Sequence, residues 1–414
     1  MVRVPPLSAA AASSGPRMLT SLYEWFWKDE YWFPPGYSWA DTEDSDGVTY
    51  PHPRDLLASI PIALVLMVIR FGFERTIAMP LSRALGVRDR LRVKATPNPI
   101  LENFFRTHNK DPKEAQLSHL ASQCGLSVRQ AQRWFRRRRN QDRPLLSKKF
   151  CEACWRFLFY FSSFFGGFLV LYNETWLWEL KTCWDKYPFQ PLQPAMYWWY
   201  LLELGFYISL LLTLPFDVKR KDLKEQVIHH FVTIILIGFS YSANLLRIGT
   251  LVLLLHDISD ILMEACKMFN YAQRRHICDT LFIIFALVFI VTRLIIFPTK
   301  ILYTTYYDSM IKFQPFFGYY FFNALLMVLQ VLHVFWSGLI LRMVYKFVLA
   351  GRMQNDIRSD LEEQNTSDEQ SEAPRQKNGR LQSNDKTDTC TLPRARVARG
   401  AGPSQLANGH VPAT

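Results

Sequence analysis

The first residues of the chain lack the apolar core of a cleaved signal peptide. The stretch MVRVPPLSAAAASSGPRM contains no apolar run of the required length. The first long apolar run covers residues 56–73 and is therefore expected to stay in the protein as an uncleaved membrane anchor.

A disulfide framework is also missing. The seven cysteines stand within or beside apolar runs or in polar and basic segments, at positions 124, 151, 154, 183, 266, 278 and 390. They do not form the paired pattern of a small secreted domain, so the chain does not belong to that class.

Histidine is scarce as well, with nine residues in 414. Only four of them fall within long apolar runs: His229, His230, His256 and His333. Membrane di-iron desaturases and hydroxylases use many more clustered histidines, so the sequence does not fit that class. One metal ion held by two His and two Asp remains an alternative.

Apolar residues, in contrast, are abundant: 49% of the chain is hydrophobic and 15% is aromatic. They concentrate in seven runs whose lengths lie close to the roughly 17 to 25 residues that cross a bilayer. The runs are 56–73, 157–172, 197–216, 227–242, 251–269, 280–297 and 317–341. The predicted fold is all-α, a polytopic membrane protein with about seven transmembrane helices.

Lys and Arg are distributed unevenly, and the net charge is +12. Segments 70–149, 217–224 and 273–276 are basic, as are the residues after the last run. The segments between them hold one or two basic residues each: 173–195, 242–249 and 299–314. The positive-inside rule then predicts a lumenal N-terminus and a cytosolic C-terminus.

One glycosylation motif agrees with this orientation. Asn173 begins the sequon Asn-Glu-Thr in a segment assigned to the lumen, so it is the expected glycan site. A second sequon begins at Asn365 in the cytosolic tail and is expected to stay unmodified.

A soluble, basic insert follows the first run. Its pattern predicts helices over 101–107, 113–123 and 127–140, and Ser127 is a good N-cap for the third. The spacing and the WF..RR signature around Trp134 resemble a homeodomain, whose third helix reads the major groove. Arg137 stands where homeodomains carry the adenine-reading Asn, so sequence-specific DNA binding is not expected. A basic module lying against an anionic membrane or the protein's own helices is the alternative.

Ionisable residues inside apolar runs are costly to bury and are functional candidates. The fourth run carries His229 and His230. Asp257, Asp260 and Glu264 in the fifth run are spaced i, i+3, i+7, so they share one helix face. Weaker candidates, for which a supporting role in helix packing is the alternative, are Glu203, Arg293, Asn323, Gln330 and His333.

Imidazole beside carboxylate is the arrangement of a general base whose orientation is fixed by its partner. A histidine can also carry an acyl group covalently. Metal binding and a purely structural polar network are the alternatives that these residue types leave open.

The run RKDLKEQVIHHFVTIILIGFSYSANLLRIGTLVLLLHDISDILMEACKMFNY resembles the Lag motif of ceramide synthases. The likeness extends from SLYEWFWKDEYWFPPGYSW before the first run to NDIRSDLEE after the last. It implies a lumenal segment 1–55, an anchor helix 56–80, a cytosolic homeodomain-like module 88–145, a six-helix TLC domain 150–345 and a disordered cytosolic tail 350–414.

The resemblance implies N-acyl transfer from a long-chain acyl-CoA to sphinganine or sphingosine in the endoplasmic reticulum membrane, giving dihydroceramide or ceramide. Acyl-CoA is then a substrate, and no cofactor or metal is expected. The catalytic set it implies is His229, His230, Asp257 and Asp260.

Lys219, Arg220, Lys221 and Lys224 are predicted to bind the phosphates of CoA, which is polyanionic. Glu264 is also predicted to be a substrate-binding residue. A solvated basic loop is the alternative for these lysines. The family's acyl-length preference is attributed to the lumenal loop before the last span, Tyr307, Asp308, Ser309, Met310, Ile311, Lys312 and Phe313, and stearoyl-range and longer chains are expected.

Two other functions stay open: a lipid-sensing or lipid-carrying TLC protein without chemistry, and a membrane-tethered transcription regulator. Membrane lipids are expected partners, and whether the chain forms a homo- or heterodimer with other ceramide synthases is not determined. In the polar tail, Ser359, Ser367 and Ser371 stand beside acidic residues and are expected phosphorylation sites.

Overall fold

The computed structural model describes residues 14–45, 47–89 and 92–350. Every longer element within these ranges is helical, which confirms the predicted all-α class. The predicted phosphorylation sites Ser359, Ser367 and Ser371, the second sequon at Asn365 and the tail from residue 351 onward lie outside the described residues.

The helices fall into long elements and short connecting turns. The long elements are α1 (Ser14–Phe26), α2 (Ser59–Phe73), α3 (Pro99–Thr107), α4 (Glu114–Gln123), α5 (Val128–Asp142), α6 (Leu146–Leu171), α7 (Pro194–Thr213), α8 (Leu223–Ser242), α9 (Leu246–Tyr271), α10 (Arg275–Ile290) and α11 (Phe317–Ala350). The short turns are Asp29–Trp32, Trp39–Thr42, Pro53–Ala58, Thr175–Trp178 and Leu180–Trp184.

Two helices continue beyond their α-helical part in a wider, π-helical form. α2 continues through Glu74–Ala78 into Met79–Ala84. α10 continues through Val291–Leu302 and Thr304–Asp308 into Ser309–Lys312, with Pro298 inside the first of these segments. A proline removes one backbone donor and crowds the preceding turn, which favours such a local departure from α geometry.

Five helical stretches are long and apolar enough to cross a membrane: Pro53–Ala84, Val128–Leu171, Pro194–Thr213, Arg275–Lys312 and Phe317–Leu349. They contain five of the seven predicted spans. The other two predicted spans lie in α8 and α9, which have 20 and 26 residues. At 1.5 Å per residue these helices are about 30 and 39 Å long, but they carry the ionisable residues that reduce their apolar character. Their crossing of the membrane stays a prediction.

Six helices close a ring around the ionisable residues. In order around the ring, α6 packs on α7, α7 on α8, α8 on α11, α11 on α10, α10 on α9, and α9 back on α6. α2 packs outside this ring against α7. Gly205 of α7 permits the approach, since a Cβ there would lie 2.7 Å from Ile62 Cγ2 and 3.2 Å from the Ser59 carbonyl oxygen.

The homeodomain-like insert forms three helices, as predicted, with a small hydrophobic core of its own. Asn98 caps α3 by accepting from the backbone N–H groups of Ile100 and Leu101, each at 3.1 Å. Ser127 caps α5, as predicted, and accepts from Gln130 N–H at 3.2 Å. The core contains Leu101, Phe105, Leu117, Leu120, Trp134 and Phe135.

Candidate active site

A cleft of about 1100 Å³ enters the helical ring at the end where α8 begins. All six helices of the ring line it, and His229 and His230 of α8 form part of its wall. Its other polar lining residues are Glu152, Arg156, Tyr160, Asp217, Arg220, Asp222, Gln226, Asp260, Glu264, Lys267, Arg293 and His333. The two histidines therefore lie where a charged entrance meets the apolar interior of the ring.

The histidine pair lies among aromatic rings. The ring centres of His229 and Trp336 are 5.5 Å apart, and those of His229 and His230 are 5.6 Å apart. Trp336 is held by its Nε1–H, which donates to Asp222 Oδ2 at 3.3 Å. Tyr207 of α7 lies on the other side, with its ring centre 6.4 Å from His229 and 5.9 Å from His230. A tryptophan and a tyrosine thus fix the space in which the imidazoles can act.

Arg293 connects three helices beside the pair. Its Nη2 donates to the His256 carbonyl oxygen at 2.9 Å and to Ser259 Oγ at 2.7 Å. The same nitrogen lies 3.7 Å from Asp260 Oδ1, and Nη1 lies 3.2 Å from His333 Nε2. Arg293 is 3% exposed, so Asp260 supplies the counter-charge that its burial requires.

His256 and His333 meet through their Nε2 atoms at 3.0 Å. His256 Nδ1 lies 2.6 Å from the Val252 carbonyl oxygen, which can only accept, so Nδ1 carries a proton. His333 Nε2 accepts from Arg293 Nη1, which can only donate, so the same nitrogen does not also donate to His256. These contacts link α9 and α11 at the level of Arg293.

The entrance of the cleft is tied by ion pairs. Arg156 Nε of α6 lies 3.1 Å from Glu264 Oε1, and Lys267 Nζ lies 2.6 Å from the same oxygen. Glu264 is 1% exposed. One buried carboxylate therefore holds two cations at fixed positions on the wall of the cleft.

Asp257 lies deeper and does not line the cleft. It is fully buried, as is Glu203 of α7, which interacts with it electrostatically. Ser163 Oγ of α6 donates to Glu203 Oε1, and Trp199 Nε1 donates to Ser163 Oγ at 2.9 Å. Three carboxylate oxygens, both of Asp257 and Oε2 of Glu203, have no hydrogen-bond partner among the described residues.

The predicted site residues thus divide into two groups. His229, His230, Asp260, Arg220 and Glu264 line one cleft. The others stand apart from it: Asp257 is sealed behind the cleft, and Lys219, Lys221 and Lys224 are exposed outside it. Within residues 14–45, 47–89 and 92–350 no hydrogen bond or ion pair joins either histidine of the pair to Asp257 or Asp260.

The sequence left open a metal ion held by two His and two Asp as an alternative to acid–base chemistry. In the described part of the chain, no three His, Cys, Asp or Glu side chains converge in a geometry that could hold a metal ion.

The predicted chain-length loop is mostly helical rather than a loop. The π-helical turns and the helix Ser309–Lys312 include residues 307–312, and only Phe313 follows them. Ser309 Oγ donates to the Thr305 carbonyl oxygen at 2.7 Å within these turns. The sequence contains no helix breaker between Pro298 and Pro315, which explains why the helix continues.

This segment lies well beyond Arg293 along the helix. Tyr307 follows Arg293 by 14 residues, most of them in the π-helical continuation of α10. Lys312 pairs with Asp185 at 2.9 Å, and the centre of the Phe313 ring lies 5.1 Å from that of Tyr187. The end of the segment is thus anchored to the turns around residues 185–187.

Several residues of the site were missed by the sequence reasoning. Arg156, Tyr160 and Ser163 are spaced i, i+4, i+7 and form one polar stripe along α6. That spacing was a detectable signal within an otherwise apolar run. Tyr207 and Trp336 gave no such signal, because an aromatic residue in an apolar run is normally a packing residue.

The basic helix α5 uses part of its charge within the module. Arg138 donates to both oxygens of Glu102, at 2.8 and 3.0 Å, and Arg139 pairs with Asp111 at 3.0 Å. These hydrogen bonds from Arg138 lower the pKa of Glu102 from 4.5 to about 2. Two of the four consecutive arginines therefore stabilise the three-helix fold.

Comparison with known proteins agrees with this architecture. Residues 149–342 match the model of the TLC domain, and residues 88–144 match the homeodomain. The chain is 61% identical to human ceramide synthase 4 over 96% of its length and all of that protein. It is 46% identical to human ceramide synthase 3, over 84% of the chain and 90% of that protein. Ceramide synthase hyl-1 of Caenorhabditis elegans is 29% identical, over 81% of the chain and 84% of that protein.

The TLC domain is a membrane domain, so the helices long enough to cross a bilayer make the chain a multi-pass membrane protein. The likeness to human ceramide synthase 4 extends over 399 residues of the chain. On this identity over nearly its whole length, the chain belongs to the ceramide synthase family of enzymes.

Proposed function

We propose that the chain transfers the acyl group of a long-chain acyl-CoA to the amine of sphinganine or sphingosine, and so forms dihydroceramide or ceramide. The observation that carries the proposal is the position of His229 and His230, between a charged entrance and the apolar interior of the ring. One substrate is soluble at its CoA end and the other is a membrane lipid, so the reacting groups must meet at such a boundary.

The CoA end remains at the entrance. Arg220 lines the cleft, and Lys219 and Lys224 are exposed beside it, so phosphate groups can meet several cations without entering the ring. The cleft itself holds charges of both signs, with Arg156 and Lys267 already paired to Glu264. Steering of CoA is therefore assigned to the loop before α8 rather than to the cleft wall.

The acyl chain extends into the ring beyond the histidines. A narrow cavity with only about 30 Å³ of enclosed space lies between α7, α8, α9 and α11, so these helices must separate to admit an acyl chain. Its lining is apolar apart from a few hydroxyl groups and His256: Tyr200, Tyr207, Thr233, Leu236, Ile237, Ser240, Gly249, Val252, Leu253, His256, Phe322, Leu326 and Leu329. Tyr207 contacts the histidine pair and also lines this cavity, so a chain entering it starts beside the imidazoles.

The chemistry needs a base and a way to release the thiolate. A C–N bond forms between the amine nitrogen and the carbonyl carbon, and the C–S bond to CoA breaks. The ammonium gives one proton to an imidazole of the His229 and His230 pair, and the second proton, lost from nitrogen as the amide forms, passes through the pair to the CoA thiolate, which leaves as the thiol. The acyl group can also pass first from CoA to His229 and then from His229 to the amine. The same bonds are formed and broken overall in this two-step route.

Asp260 and Asp257 hold neighbouring groups in place rather than react with the substrates. Asp260 neutralises Arg293, which in turn holds His256 and His333, and this network borders the imidazole pair. Asp257 supplies a buried carboxyl group on the same helix face. The proposal needs no cofactor, because acyl-CoA is consumed as a substrate. Stearoyl-range and longer chains are the proposed acyl donors.

The compartment and orientation are part of the proposal. We place the protein in the endoplasmic reticulum membrane, with the N-terminus in the lumen and the entrance of the cleft on the cytosolic side. The basic segments around α5 and before α8 support this orientation.

The test uses microsomes that contain the full chain, sphinganine and a panel of acyl-CoAs of different length. We expect a CoA-dependent N-acyl product, and a loss of at least about 100-fold in the His229→Ala and Asp257→Ala variants. His119→Ala is the matched control, since His119 is exposed on α4 of the module. A chain that makes no N-acyl product, or two variants that make as much as the wild type, would contradict the proposal.

A further inference from the structure

A second apolar groove lies on the outside of the ring, between α6 and α7. Its volume is about 780 Å³, and its lining includes Phe159, Ser163, Gly166, Val170, Trp198 and Trp199. Val170 and Trp198 are exposed, so the groove is open on the side that faces lipid in a membrane. The cavity assigned to the acyl chain lies on the other side of α7, between that helix and α8, α9 and α11.

Small residues make this groove. A Cβ on Gly166 would have no heavy atom within 4 Å. A Cβ on Gly167 would lie 3.1 Å from two ring atoms of Trp199 and 3.4 Å from Leu254. The absence of side chains at two consecutive positions of α6 thus leaves room beside the Trp199 indole.

Ser163 makes the inner wall of the groove polar, and Glu203 and Asp257 lie behind it rather than in the lining. Ser163 lines the groove and donates to Glu203, whose other carboxylate oxygen has no partner among the described residues. Asp257 interacts closely with Glu203, although neither Asp257 oxygen is in good hydrogen-bond geometry with a described residue. Both residues are 0% exposed. Two neighbouring buried carboxyl groups favour a cationic partner.

These carboxyl groups lie within electrostatic range of residues beside the histidine pair. Asp257 interacts electrostatically with both Tyr160 and Tyr207. Tyr160 lines the cleft, and the Tyr207 ring lies beside those of His229 and His230. The same two phenol groups therefore border the cleft and feel the charge of Asp257.

We infer that the groove between α6 and α7 is the binding site of the sphingoid base, with the ammonium group at Glu203 and Asp257 and the hydrocarbon tail along Gly166 and Val170. The inference rests on the proposed function for the identity of the amine. The acyl chain and the tail of the sphingoid base then lie on opposite sides of α7. The amine approaches the histidine pair from the membrane.

The chemistry of the groove favours a single-chain lipid amine over a phospholipid. A phospholipid presents its charge at the membrane surface, whereas Glu203 lies 10 residues from the end of α7, about 15 Å at 1.5 Å per residue. Only a small cationic head can reach that depth and gain from the unused carboxyl oxygens. A lipid tail without an amine would fill the groove but would leave these oxygens unpartnered.

The first experiment locates the base directly. Microsomes containing the full chain with His229→Ala, which prevents turnover, are irradiated with a photoactivatable, alkyne-tagged sphinganine. We expect crosslinks in peptides from residues 146–171 and 194–213, displaced by sphinganine at least about tenfold better than by octadecanol, which lacks the amine. Crosslinks confined to α10 or α11, or equal displacement by the alcohol, would overturn the inference.

Variants then test the groove and the carboxyl group separately. In the wild-type background, Gly166→Leu fills the groove and is expected to raise KM for sphinganine about tenfold, with KM for acyl-CoA unchanged. Gly72→Leu adds the same side chain to an open position of α2 and is expected to leave both values unchanged. Glu203→Gln keeps the shape but removes the charge, and is expected to raise KM for sphinganine and to abolish the preference for amine over alcohol.

The two proposals fail in different ways. If the wild type makes no N-acyl product, the proposed function is wrong, while the crosslink position still decides where a lipid amine binds. If N-acylation occurs but Gly166→Leu raises both KM values equally or neither, the groove is not the site of the base. Crosslink mapping needs no groove variant, so it decides the matter even if Gly166→Leu does not fold.

Discussion

At the scale of single residues, Arg293 is the most connected group of the site. It contacts α9 through His256, Ser259 and Asp260, and α11 through His333, although it carries only one charge. The planar guanidinium can reach these partners at once because its donors point in several fixed directions. Lysine has a single nitrogen and cannot replace this geometry.

We therefore expect Arg293→Lys to lower kcat by about 100-fold, since a small displacement of a catalytic network has effects of that size. The rate of ceramide formation in microsomes, normalised to the amount of folded protein, measures this. Arg342→Lys is the control, because Arg342 is exposed on α11. An unchanged kcat in a folded Arg293→Lys protein would show that the network has no part in the reaction.

At the scale of elements, the contact of α2 with α7 depends on one glycine. Gly205 leaves no space for a side chain, because Ile62 Cγ2 and the Ser59 carbonyl oxygen lie within reach of a Cβ. Ile62 is β-branched and stiff, so it cannot turn away without a shift of the helix. Membrane helices commonly achieve such close packing through small residues.

Gly205→Ala is expected to destabilise the fold by about 1–3 kcal/mol, the usual cost of forcing an extra methyl group into a packed contact. The measurement is the midpoint of thermal unfolding of the purified protein in detergent. Gly338→Ala is the matched control in a membrane helix, because a Cβ at Gly338 meets no heavy atom within 4 Å. Equal midpoints for both variants would disprove the tight contact at Gly205.

At the scale of the whole molecule, the orientation of the chain can be read from its glycans. Asn173 is exposed in the turn after α6, at the end of the ring opposite the cleft entrance. With the entrance in the cytosol, Asn173 is in the lumen and accessible to glycosylation.

We expect treatment with a peptide N-glycosidase to increase the gel mobility of the wild-type chain, and to leave that of Asn173→Gln unchanged. Asn365→Gln should behave like the wild type, since the proposed orientation places that sequon in the cytosol. A glycan on Asn365 and none on Asn173 would reverse the proposed orientation, and with it the side from which CoA enters.

The same three scales show what the sequence could predict. The capping role of Ser127 and the three helices of the module followed from local patterns, because a cap and its helix lie within a few residues of one another. Five spans were predicted from the length of apolar runs, which is also a local property of the sequence. The helical form of residues 307–312 was missed, since the family resemblance predicted a loop between the last two apolar runs.

By itself, the sequence determined the helical class, the module and the family, and it proposed the site residues, because these inferences depend on composition and on spacing along one helix. The tertiary structure decided which of those residues meet. Asp257 adjoins Glu203 of α7, and the histidine pair adjoins Tyr207 and Trp336. Such contacts depend on how each helix is rotated about its axis within the ring, and the pattern of a single helix does not contain that information.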